Sequence, residues 1–135
     1  MYGTAQTFRG RAYILANVLN QGSTMSGKYL LHTAGKEQFH WDLKAGNAET
    51  ILSSQMYTAK QGAVTGIESC RTNSGADLSY SRLTSKDNHP YFVLKAANGE
   101  IIGTSQMYGS GAARDHGITS CMKHGPSGVL QDETK

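Results

Sequence analysis

The chain has 135 residues, of which 38% are apolar, with 16 Gly, two Pro, two Cys and a formal net charge of +3. One ordinary domain rich in tight turns fits this length and composition. No apolar run approaches the ~20 residues that span a bilayer, and two Cys without a Cys/His cluster make neither a disulfide framework nor a zinc pattern. The expectation is a cytoplasmic protein with reduced thiols, no membrane association and no cofactor or metal.

Residues 1–24 differ from the rest. Arg9 and Arg11 precede a short apolar patch from Ala12 to Leu19, a faint likeness to a signal peptide. Asn17 interrupts the patch and no small-x-small cleavage site follows, so an N-terminal extension with little order of its own is expected there. Met25-Ser26-Gly27-Lys28 reads as a second beginning. Without residues 1–24 two Arg and no acid are lost, leaving 11 basic against 10 acidic residues. The weak basic charge therefore belongs mostly to the extension, and the expected domain is 25–135.

In chain order, Lys28 to His32 is the first predicted strand, with Tyr29 and Leu31 on one face. Gly35 turns the chain. Phe39, Trp41 and Leu43 then alternate with His40, Asp42 and Lys44, the period of a half-buried strand. A third strand is predicted from Glu49 to Ser54. Thr58 is the expected cap of a helix whose apolar stripe is Ala59, Ala63, Ile67 and Cys70. An extended segment follows, from Leu78 to Arg82.

The same order then recurs. Phe92 and Leu94 take the inward places, and Asn98-Gly99 signals a type I′ hairpin turn, where the first copy has Asn47-Ala48. A strand is predicted from Glu100 to Ser105. Ser110 is the next cap candidate, before Ala113, Ile118 and Cys121, and Val129 to Asp132 is extended. The offset is a constant 51 residues without a gap from Leu43/Leu94 to Asn73/His124. LKAGNAETILSSQMY (43–57) and LKAANGEIIGTSQMY (94–108) are its clearest expression. Such identity marks a tandem duplication, with repeats at about 25–77 and 78–135. Gly66 and Gly117, inside the two helices, point to close backbone packing, since a mid-helix Gly costs roughly 1 kcal/mol against Ala. One unit alone would bury little, so two units are expected to share a sheet.

The pattern "LKA-x-NGE-x-I-x-x-S-x-x-Y" followed by "GI-x-S" resembles the YegP-like family of small bacterial proteins. It is present here as LKAGNAETILSSQMY with GIESC and as LKAANGEIIGTSQMY with GITSC. The resemblance covers about residues 25–135. It implies an α+β fold of two β3-αβ units in one largely antiparallel sheet, with both helices on one face and the final strands exchanged between units. It also implies that single-unit relatives form the same assembly as dimers. Three departures stand out. Gln55 and Gln106 occupy a position that is Glu in many relatives, Ala48 replaces a turn Gly, and Cys70 and Cys121 replace helix positions that are often Val. The family has no assigned function.

The repeated polar residues nominate a surface. Lys44, Lys95, Gln55, Gln106, Tyr57 and Tyr108 are expected to line it in two related copies, against the plainer alternative of a solvated sheet face. Cys70 and Cys121 fall on apolar helix stripes and read as core thiols. The five His are not expected to form a metal set, and no phosphate loop or trusted catalytic triad is present. The expected function is a non-catalytic binding module, acting as a monomer through its polar sheet face or strand edges, with a protein as partner. Two other readings stay open: weak nucleic-acid binding through the sheet face, and an enzyme or small-ligand binder using the repeated Lys, Tyr and Gln.

Overall fold

The computed structural model describes residues 27–134, and the N-terminal extension at 1–24 lies outside them. Among the described residues, seven strands and two helices follow the repeat. They are β1 (Lys28–Thr33), β2 (Phe39–Lys44), β3 (Thr50–Ser54), α1 (Lys60–Asn73), β4 (Tyr80–Thr84), β5 (Pro90–Lys95), β6 (Ile101–Thr104), α2 (Gly111–His124) and β7 (Val129–Asp132). All strands join one sheet in the order β4-β5-β6-β3-β2-β1-β7. Every pairing is antiparallel except β1 with β7. The second unit's last strand thus crosses to the first unit's first strand. After α1 the corresponding stretch forms a 3₁₀ turn, Asp77–Ser79, and runs into β4.

Alternation along the strands decides what is buried. Tyr29, Leu31, Trp41, Leu43, Phe92 and Leu94 are fully buried on one face. Ala63, Ile67 and Cys70 of α1 and Ile118 and Cys121 of α2 pack against them in one core. The register slips by one residue at Leu43/Lys44 opposite β3, a bulge that buries both Ile51 and Leu52. The helix stripes start later than the sequence suggests, because Ala59 and Ala113 are exposed.

Two local expectations are corrected. The N-cap of α1 is Ala59, not Thr58, and its side chain makes no capping bond. Ser110, at the same place in the second unit, accepts from the Ala113 N–H at 3.1 Å. The Asn98-Gly99 turn is not type I′, since positive φ falls at Gly99 (φ 88) but not at Asn98. The Ala96 carbonyl accepts from Gly99 N–H, and Ala96 N–H then pairs with the Glu100 carbonyl. The first unit builds the same turn with Ala48 at φ 71, so the lost Gly leaves a strained Ala rather than a different turn.

The two units meet where β3 pairs with β6, through Ser53 with Thr104 and Ser54 with Gly103. Leu52 and Gly103 are repeat equivalents at this seam. A Cβ at Gly103 would lie 2.8 Å from Leu52 Cγ and 3.0 Å from the Ser53 carbonyl oxygen.

Candidate functional site

Some repeated polar residues are explained by the fold. Ser54 Oγ accepts from Trp41 N–H at 2.9 Å and donates to the Gln55 carbonyl at 2.7 Å. Ser105 makes the same pair of bonds with Phe92 N–H and the Gln106 carbonyl. Each serine thereby continues a strand ladder where the backbone departs. Asn47 and Asn98 accept from the N–H groups of Glu49 and Glu100, closing their turns.

The six nominated residues divide between the two sides of the sheet. Tyr57 and Tyr108 lie on the helix side, where a Cβ at Gly66 or Gly117 would run into their hydroxyls. Burial pushes the Tyr108 phenol up, opposed by a hydrogen bond from Gln106. Lys44 and Lys95 alternate with buried Leu43 and Leu94 and so occupy the opposite face, where Lys44 Nζ donates to Thr50 Oγ1 at 2.7 Å. Gln55 and Gln106 are exposed at the ends of β3 and β6. Duplication preserved all six, yet they do not form one surface.

The face opposite the helices is polar in one unit and more apolar in the other. In the first unit it carries His32, His40, Asp42 and Ser53. Their repeat equivalents are Leu83, Tyr91, Val93 and Thr104. His32 and His40 are register partners with ring centroids 4.3 Å apart. His32 Nε2 lies 3.1 Å from Asp42 Oδ2, and the Ser53 hydroxyl donates to Asp42 Oδ1 at 2.5 Å. In the second unit Leu83 and Ile101 are exposed. Sequence reasoning missed the His pair. The signal was available, because the in-out phase of Tyr29, Leu31, Trp41 and Leu43 places His32, His40 and Asp42 on the same outer face.

On the helix side, a cleft of about 600 Å³ opens between α2 and the β2–β3 turn. It gathers Gln106 and Tyr108 with Glu49, His116, Lys123 and His124. Burial, aided by the charge of Lys123, lowers the His124 pKa. The thiols take no part. Cys70 and Cys121 are free and buried, and burial pushes Cys70 up to about 11 and Cys121 higher still.

Among the described residues no helix is long and apolar enough to cross a membrane. The family model described as "Domain of unknown function (DUF1508)" matches the chain twice, over residues 34–79 and 85–132. A UPF0339 protein of Shewanella oneidensis is 53% identical over 110 residues, covering 82% of this chain and 100% of its own length. UPF0339 protein YegP of Escherichia coli is 44% identical over 110 residues, with the same coverage. Solution NMR structures of a Shewanella oneidensis UPF0339 protein and of Escherichia coli YegP superpose with TM-scores of 0.76 and 0.77. Each covers 82% of this chain, and 93% and 95% of the respective structures. The chain belongs to the DUF1508 family, and the two matches agree with its internal repeat.

Proposed function

We propose that this member of the DUF1508 family is a non-catalytic binding module that docks a protein partner on the sheet face opposite its helices. The observation that carries this reading is the divided character of that face. In one half exposed Ile101 pairs with Lys95 and exposed Leu83 with Tyr91, and Lys28 and Lys44 pair in the other. A partner with apolar side chains flanked by carboxylates complements such a surface. The strand edges fit a partner less well. Arg82 of edge strand β4 is engaged by Asp77 and Asp115, and Asp132 of edge strand β7 by Lys60, charges that discourage strand addition. Nucleic acid is disfavoured by the near-neutral balance outside residues 1–24, because phosphate contacts dominate such binding. The buried thiols are held protonated, which suits a module that performs no nucleophilic chemistry.

The cleft beside α2 favours a second reading, a site for a small polar ligand using Tyr108 and Gln106. Photo-cross-linking in cells separates the two. A photoreactive residue is placed at Lys95 or Tyr91 on the open face, or at Thr119 or Lys123 beside the cleft. Docking predicts one protein adduct from the open-face positions, lost when Ile101→Asp is added. No adduct from those positions, or one indifferent to Ile101→Asp, refutes docking there.

A further inference from the structure

The geometry points to a metal site on the open face, built by His32, His40 and Asp42, for a borderline divalent cation of the zinc, cobalt or nickel type. It is independent of partner docking. One ligand atom from each residue lies within 4.8 Å of the others. Two imidazoles with one carboxylate are a common transition-metal donor set, and imidazole disfavours Mg²⁺ and Ca²⁺. His32 Nε2 and Asp42 Oδ2, 3.1 Å apart, already stand near the ~3.3 Å that two ligands of a tetrahedral zinc keep. His40 must close the rest, and its partial exposure leaves it room to turn.

The surroundings resemble a prepared site. Asp42 is held from behind by the Ser53 hydroxyl on Oδ1, which leaves Oδ2 toward the imidazoles. A carboxylate fixed in this way is the usual support of a metal ligand. All three residues sit on paired strands rather than on a loop, so their spacing is set by backbone register. The counterpart half replaces them with Leu83, Tyr91 and Val93, so only the first unit carries the donors. Three protein ligands leave a fourth position for water or an incoming ligand.

The test uses the full chain, metal-free, and zinc alone. Competition with a chromogenic chelator measures affinity, and imidazole ¹⁵N spectra report which rings respond. One zinc per chain is expected, with shifts at His32 and His40 but not at His89, His116 or His124. Ser53→Ala weakens binding roughly tenfold and Ser53→Thr restores it, while His40→Ala and Asp42→Asn lose more than Ser53→Ala does. His89→Ala leaves affinity unchanged. Thermal midpoints in metal-free buffer identify any variant that fails to fold, and the spectra of the unsubstituted chain do not depend on variants. No saturable binding in the micromolar range, shifts at the other histidines, or binding indifferent to Asp42→Asn would overturn the assignment.

Discussion

The hydroxyl of Tyr29 donates to the carbonyl of Gly125 at 2.7 Å, tying the first strand to the end of the last helix. Tyr80 does the same to Ser74 at 2.7 Å, and the two bonds are repeat equivalents. Each first strand is thus fastened to the helix of the other unit. Tyr29→Phe keeps the edge-on contact with Trp41 at 5.4 Å but leaves a buried carbonyl without this donor. A loss of about 1–2 kcal/mol is expected in urea unfolding. A variant as stable as the parent would show that the bond contributes nothing.

The helix glycines make the opposite prediction to propensity. Gly117→Ala gains about 1 kcal/mol of helix preference but pushes into Tyr108 and Phe92, and overpacking costs about 1–3 kcal/mol. Net destabilisation is expected, partly recovered when Tyr108→Phe removes the hydroxyl. Denaturation of the two single variants and the double variant measures the coupling, and a stabilised Gly117→Ala would refute close packing there.

The strained turn offers a gain. Ala48 holds φ 71 where Gly99 holds φ 88. Ala48→Gly is expected to stabilise by about 1 kcal/mol and Gly99→Ala to destabilise by a similar amount. Unfolding midpoints of the pair should move in opposite directions.

The two helix starts form another matched pair. Ala59 has extended backbone at the N-cap, φ −135 and ψ 142, with no side-chain acceptor. Ala59→Ser is expected to add about 1 kcal/mol and Ser110→Ala to remove as much. Equal stability of parent and Ala59→Ser would mean that water already caps α1 equally well.

Alkali should unfold the protein through its core. Burial raises Cys70 from an ordinary 9.0 to about 11, and raises Cys121, Tyr29 and Tyr80 as well. As pH passes the unfolded values, the unfolded chain releases these protons first. Stability from Cys70 is therefore complete below pH 9.0 and is lost as pH rises through about 11. Melting temperature against pH should fall in that window, and Cys70→Val with Cys121→Val should soften the fall. An unchanged curve in the double variant would assign the loss to the tyrosines.

Much of the architecture was legible because duplication writes the same pattern twice. Tyr29, Leu31, Trp41 and Leu43 gave the buried face by simple alternation, and the constant offset gave the second unit. The cap failed by one residue at Thr58, although Ser110 minus the offset points to Ala59. The bulge that buries both Ile51 and Leu52 left no mark, because it depends on pairing between strands. The candidate surface split for a related reason. Alternation put Lys44 outward, but Tyr57 follows the end of β3, where period no longer fixes a side. Alternation alone puts His32, His40 and Asp42 on one outer face, but that the two imidazoles are direct register partners depends on the pairing across the intervening loop.

The Leu52–Gly103 seam makes the two halves unequal where they meet. Ser53 pairs with its own repeat copy, Thr104, and beside that pair Leu52 lies diagonally against its equivalent, Gly103. One half carries bulk there and the other carries none, like a key and its blank. A liberated first half would bring leucine against leucine, and a liberated second half would leave a gap. The two repeats are therefore unlike parts that complement each other at this seam.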